Sequence, residues 1–181
     1  MDNFDSFCTD LLEQAKRFLE KYKETDNEDA KRAFLNSSLL LTISSLEAFV
    51  NGISSELLHI PQLTILEKSI LSEKEFTIKK GKFELSNQLR IYRITERIEF
   101  LHYKFTKRQL KGNEYQWWSD LLNSIDLRNK IVHPKEDIVL TQKHVETAIY
   151  SVLSCVNHLY QAIYSKKLPM NPLGLKSRYD F

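Results

Sequence analysis

Apolar positions recur at intervals of three and four along most of this chain, and each break in that rhythm marks a boundary. Phe4, Phe7, Cys8, Leu11, Leu12, Ala15, Phe18, Leu19 and Tyr22 share one face, which predicts an amphipathic helix over residues 3–24. Thr25-Asp26-Asn27-Glu28 stops it and caps a second helix, with Glu28 placed for a capping box. That second helix, residues 28–58, is the most apolar part of the chain. Its Leu39-Leu40-Leu41-Thr42-Ile43 is hydrophobic all round, as in a helix buried on most sides, and Pro61 ends the element. A short helix over 62–72 follows. Phe76-Thr77-Ile78 and Phe83-Glu84-Leu85 alternate around Lys79-Lys80-Gly81-Lys82, a small hairpin or loop over 74–85.

Residues 86–111 read as one long helix whose core-facing line is Ile91, Ile94, Ile98, Leu101 and Phe105. Asn113, with Gln116 three later, opens a helix carrying Trp117, Trp118, Leu121, Leu122, Ile125 and Leu127. Adjacent residues cannot share a helix face, so one tryptophan is core and the other lies on an exposed or dimer-facing surface. Thr141 caps a last helix over 141–166, lined by Val145, Ala148, Val152, Cys155, Val156, Leu159 and Ile163. The fold class is therefore all-α, an antiparallel bundle of four to five main helices, with the small hairpin or loop inserted. One domain spans 1–166, and 167–181 form an irregular tail that either docks through Tyr179 and Phe181 or hangs loose.

Composition agrees with a compact domain. The 181 residues are 42% hydrophobic, enough for a core, and four glycines and four prolines are too few for a turn-rich β fold. Cys8 and Cys155 lie at opposite ends, both within apolar helical patterns, which suits two packed free thiols in a reducing compartment. No apolar run approaches the roughly 20 residues of a membrane span, and the acidic start Met1-Asp2-Asn3-Phe4-Asp5 lacks signal-peptide character. The expectation is a cytoplasmic protein with no membrane partner.

Candidate chemistry concentrates in Asp126-Leu127-Arg128-Asn129-Lys130-Ile131-Val132-His133-Pro134. Pro134 ends this helix, because it has no N–H to donate and disfavours αR at His133. In an unbroken helix two residues five apart point roughly 140° apart. At a terminus His133 can leave the helix and come round toward Arg128. That sets a cation that does not titrate beside an imidazole that titrates near neutrality, a pair suited to holding a phosphodiester and moving a proton. Arg and His near a helix C-terminus are also ordinary complements to the dipole, and Arg97…His102 repeats the spacing inside a helix with no breaker. Glu47 and Asn51 share a face of the apolar second helix; a carboxylate there needs a partner, and Arg128 is the candidate.

Charge is uneven. Residues 1–78 hold 8 basic and 14 acidic side chains (−6), residues 79–111 hold 10 and 3 (+7), and residues 112–181 hold 8 and 7 (+1). Lys79, Lys80 and Lys82 sit at the hairpin tip. Arg90, Arg93, Arg97, Lys104 and Arg108 fall within roughly 60° of each other on the expected long helix. These, with Lys130 and Lys135, are candidate contacts to a nucleic-acid backbone or an acidic partner surface; a solvated helix face gives the same pattern. There is no phosphate-binding glycine loop, no Cys/His metal spacing and no nucleophile elbow, so neither metal nor cofactor is expected. His59, His144 and His158 have no sequence neighbours that suggest ligands.

With five helices, Leu127-Arg128-Asn129-Lys130-Ile131-Val132-His133-Pro134 and Ser44-Ser45-Leu46-Glu47-Ala48-Phe49-Val50-Asn51 resemble the HEPN superfamily over roughly residues 5–165. The resemblance implies an antiparallel bundle, often a homodimer, in which two Arg-His motifs meet in a basic cleft. It implies metal-independent RNA cleavage in active members, many of them toxins or phage-defence effectors, some restrained by an antitoxin or sensor partner. By position, Arg128 would hold the scissile phosphate, His133 would transfer the proton of the attacking 2′-hydroxyl, and Asn129 would orient the site. Glu47 and Asn51 would support it. A subgroup controlled by a nucleotidyltransferase has Tyr two residues after the His, where this chain has Lys135. The alternative is a non-catalytic dimerisation module or one that binds nucleic acid or nucleotides.

Overall fold

A computed structural model of the protein describes residues 2–135, 137–166, 168 and 174–181, with side chains from Phe7 onward. The elements run α1 (Asp2–Glu24), α2 (Glu28–Leu57), α3 (Ile65–Ser72), β1 (Lys74–Lys79), β2 (Lys82–Leu89), α4 (Ile94–Thr106), α5 (Gln116–Val132) and α6 (Gln142–Tyr164). The fold is all-α with one small hairpin, as the hydrophobic pattern predicts.

α2 is the axis of the bundle. It packs against α1, α5 and α6, and Leu39, Ile43, Leu46 and Val50 are fully buried. Small polar residues let neighbours approach: the Ser38 hydroxyl donates to Ala15 O at 2.6 Å, bringing α1 close. Contrary to the sequence expectation, an 18-residue window of α2 has a mean hydropathy of 1.4, long and apolar enough on those grounds to cross a membrane. Half of that window is buried inside the bundle, the ordinary reason for such a run in a core helix. Cys8 and Cys155 are buried free thiols, and burial pushes the Cys155 thiol up from its ordinary value.

α2 starts at Glu28 as expected, but its cap differs in detail, and α5 starts later than expected. Asn27, not the expected Thr25–Glu28 box, caps α2: its side chain accepts from Ala30 N at 2.9 Å, while Glu28 pairs with Lys31. α5 begins after Tyr115 rather than at Asn113, its first turn set by the packing of Tyr115 and Trp117 on His158. Trp118 is buried and Trp117 partly so. Thr141 caps α6 as expected.

The largest correction concerns residues 86–111. Residues 82–89 are strand, 90–93 form a connector without regular structure, and the helix occupies only Ile94–Thr106. Ile91, expected in the core, is 87% exposed. The cause is non-local: β2 pairs antiparallel with β1, setting Ile78 opposite Phe83 and Phe76 opposite Leu85. Lys80 and Gly81 take φ of 49° and 75°, the left-handed pair that a two-residue hairpin turn demands. Arg90, Arg93, Arg97, Lys104 and Arg108 therefore form no continuous helical stripe.

The described part of the tail docks. Ser177 Oγ donates to Glu13 O at 2.8 Å, Arg178 N to the Glu13 carboxylate at 2.7 Å, and Arg17 Nε to Phe181 O at 2.7 Å. Phe181 meets Phe18 edge-on. This seals the buried Lys16–Glu13 pair, and the tail prolines Pro169 and Pro172 lie outside the described residues.

A second buried polar feature joins α4 to α6. His158 Nε2 lies 2.9 Å from His102 Nδ1, the rings stacked, and His102 Nε2 lies 3.2 Å from Thr106 Oγ1. The Thr106 hydroxyl donates to His102 O, so it accepts from His102 Nε2–H; His102 Nδ1 is then the acceptor for His158. A further proton on His102 would turn two donors toward each other. Burial lowers both histidine pKa values, and for His102 the nearby His158 adds to that while Glu114 opposes it. The unfolded chain thus binds protons first: stability is complete above the unfolded value of 6.5 and falls as pH drops below it toward the folded values. The midpoint of thermal unfolding should decline on acidification through this range, and His158→Gln should flatten the decline. An equally steep profile in the variant would assign the acid sensitivity to other groups. Glu67, held to about 2 by Lys104 and the Thr64 amide, titrates well below this window.

Candidate functional site

α5 delivers the Arg-His segment. Leu127 and Ile131 turn inward on the core, which sends Arg128 sideways toward α2 and leaves Asn129 exposed. The helix ends at His133, whose N–H still donates to Asn129 O at 2.9 Å while its backbone leaves the helix at φ −126°, ψ 68°. Pro134 forces that departure. The His133 ring is exposed and makes no hydrogen bond or ion pair among the described residues.

Arg128 is partly buried, and its Nη2 donates to the Glu47 carboxylate, the pairing expected from the sequence. One turn along α2, Asn51 Oδ1 accepts from Arg97 Nη1 at 2.6 Å, Ser54 Oγ from Arg97 Nη2 at 3.0 Å, and the Glu73 carboxylate from Nη1 at 3.0 Å. One face of α2 thus holds two guanidiniums, one from α4 and one from α5. Arg97 is 5% exposed; burial lowers its pKa, and Glu73 and Glu47 oppose that.

Between these elements lies a cleft of about 630 Å³. Its lining includes Glu47 and Asn51 from α2, Ile91 to Arg93 from the connector before α4, Ile94, Thr95 and Arg97 from α4, and Leu122, Ile125, Asp126, Arg128 and Asn129 from α5. Three arginines face three carboxylates, Glu47, Glu73 and Asp126. Two of those arginines are paired within the chain, and Asp126 is held by Lys130 at 3.0 Å. Apolar Ile91 and Leu122 form exposed lips. The volume lies within the roughly 300–1,000 Å³ of small-ligand pockets.

The structure brings Arg128, Asn129, Glu47, Asn51, Arg93 and Arg97 to this cleft and leaves His133 outside its lining. Of the other basic candidates, Lys79, Lys80 and Lys82 cluster at the exposed hairpin tip and Lys135 is exposed. Arg90 stacks over Tyr92, and Lys104 is held by Glu67 at 2.5 Å. Sequence reasoning missed Glu73, Tyr92 and the burial of Arg97. A signal for the last was present: Arg97 stands three after Ile94 and four before Leu101, at the edge of the apolar line. It also missed the His102–His158 pair, since its members are 56 residues apart. Among the described residues no three His, Cys, Asp or Glu side chains converge as a metal site requires.

The sequence profile of a protein family described as RiboL-PSP-HEPN matches residues 7–165. No curated protein and no solved structure gives a significant match.

Proposed function

Because this chain belongs to the RiboL-PSP-HEPN family, we propose that it is a metal-independent endoribonuclease, acting in the cytoplasm as a toxin or phage-defence effector. The observation that carries the reading is the end of α5, where Arg128 and Asn129 line a nucleotide-sized cleft and Pro134 turns an unengaged His133 off the helix. Glu47 engages Arg128 through Nη2, so the remaining guanidinium donors are left for phosphate oxygens. His133 takes the proton of a ribose 2′-hydroxyl; the new O2′–P bond forms as the P–O5′ bond breaks, leaving a 2′,3′-cyclic phosphate. The leaving 5′-oxygen takes its proton from a second imidazole, the partner's His133, in a homodimer where two such helix ends meet. His133's exposure outside the cleft of one copy supports that completion by a second.

Incubation of the purified protein with total RNA in EDTA should give fragments bearing cyclic phosphate ends. RNA left intact across several substrates would sink the proposal. The Arg128–Glu47 pair favours a second reading, a non-catalytic HEPN dimerisation or nucleotide-binding module in which Arg128 ties α5 to α2. In that case nucleotides would raise the unfolding midpoint without being cleaved.

A further inference from the structure

The β1–β2 hairpin springs from the rim of the cleft. Glu73, just before β1, and Ile91, two residues after β2, both line the cleft. The Arg90 amide donates to Glu73 O at 2.8 Å and closes the base of the hairpin there. The six residues of β1 carry the chain about 20 Å from that base toward the tip. Side chains alternate between the faces of a strand, so the register puts Phe76, Ile78, Phe83 and Leu85 on one face. Phe76 and Leu85, nearer the base, are half-buried, whereas Ile78 and Phe83, directly opposed near the tip, are 64% and 58% exposed. The Phe83 ring meets Phe76 edge-on, its one aromatic contact among the described residues. A hairpin of two strands is marginal in water by itself, and a contiguous apolar face left uncovered on it marks a binding surface.

The tip is also cationic. Lys79 and Lys82 form the last pair of the ladder and Lys80 sits in the turn. No hydrogen bond or ion pair engages any of the three ammonium groups among the described residues. Lys80 holds a left-handed backbone, φ 49°, where Asn or Gly is ordinary, so a charge is kept at a place the turn would give to another residue. Lys79 and Lys82 start on the face away from Phe83. Their four methylenes let the ammonium groups reach round the end of a ribbon about 5 Å between strand axes.

We infer that the hairpin is a stacking platform for single-stranded RNA, continuous with the cleft. Phe83 takes a base on its ring, Ile78 packs beside it, and the lysines hold the phosphates to either side. A π face flanked by cations is what an unpaired strand requires, and it tolerates any base sequence. A second copy of the chain is the poorer occupant, because pairing tip to tip would bring two lysine clusters together. The choice of RNA as the polyanion rests on the ribonuclease reading.

The test uses the full chain with a labelled 2′-O-methyl RNA of about ten nucleotides, read by fluorescence anisotropy over a range of salt. Such a strand has no 2′-hydroxyl and resists cleavage. Phe83→Ala should weaken binding about ten-fold, the size of one lost base stack. Phe83→Trp should hold or tighten it, and Phe83→Leu should not restore it, since leucine has apolar bulk without a π face. Gln at Lys79, Lys80 and Lys82 together should lower the slope of log affinity against log salt by about 2, three phosphate contacts on a single strand. All four positions are exposed, so unfolding midpoints should stay at the wild-type value. Wild-type affinity in Phe83→Leu or Phe83→Ala would overturn the platform, as would absence of binding by the wild type. With RNA affinity unchanged, a wild-type dimer that Phe83→Ala dissociates would assign the face to a second copy. Likewise, anionic phospholipid vesicles that capture the wild type but not Phe83→Ala would assign it to a lipid surface. Cleavage is scored separately on the wild type in EDTA. Phe83-dependent binding without cleavage keeps the platform and removes the ribonuclease reading; cleavage with Phe83-independent binding does the reverse.

Discussion

Alanine at His133 should slow RNA cleavage by roughly a hundred- to ten-thousand-fold, the range for loss of a positioned proton-transfer group. Stability should stay within about 0.5 kcal/mol of wild type, because the ring is exposed and makes no hydrogen bond or ion pair among the described residues. The two readouts together separate the proposed activity from a structural role. A histidine that served the bundle would show the opposite result, with stability falling by about 1 kcal/mol or more as polar contacts were lost. Cleavage rates under single-turnover conditions and urea unfolding of the same preparations are the measurements. Retained cleavage in a folded His133→Ala protein would place the chemistry elsewhere or in a contaminant.

Alanine at Arg97 should have the largest effect on stability, a loss of about 3 kcal/mol. Removing one partner of a buried charged network costs roughly 3–5 kcal/mol, because the groups left behind stay desolvated. Ser54 would lose its donor inside the bundle, whereas Asn51, which is exposed, and Glu73, with 31% of its side chain exposed, can recover water. That partial relief places the expected value at the lower end. Urea unfolding should show a lower midpoint with an unchanged slope; a loss under about 1 kcal/mol would mean that the network contributes little. His133 and Arg97 thus stand in opposite positions, one an exposed residue proposed for chemistry and one buried where it holds the elements that frame the cleft.

The helices were legible because the interactions that define them lie within a turn or two. Apolar residues three and four apart mark α1, α2, α5 and α6, Thr141 marks the start of α6, and Pro134 marks the end of α5. The Glu47–Arg128 pair was legible too, since a carboxylate on the most apolar helix required a counter-charge. Residues 86–93 were not. Ile91, Ile94 and Ile98 stand three and four apart, a spacing that suits a helix running through them, and only pairing with β1 decides for strand ahead of Ile94. That decision moved Arg93 off a supposed helix face to the cap of α4, and the same packing buried Arg97 against α2. Where a cation points, and whether another group already holds it, depends on contacts between residues far apart in the chain, such as Arg97 with Asn51 or His102 with His158. Local patterning was enough to specify the helical architecture and the Arg-His terminus. Which arginines are engaged, and by which partners, emerged only when the chain was packed, because those pairings join segments that no local spacing relates.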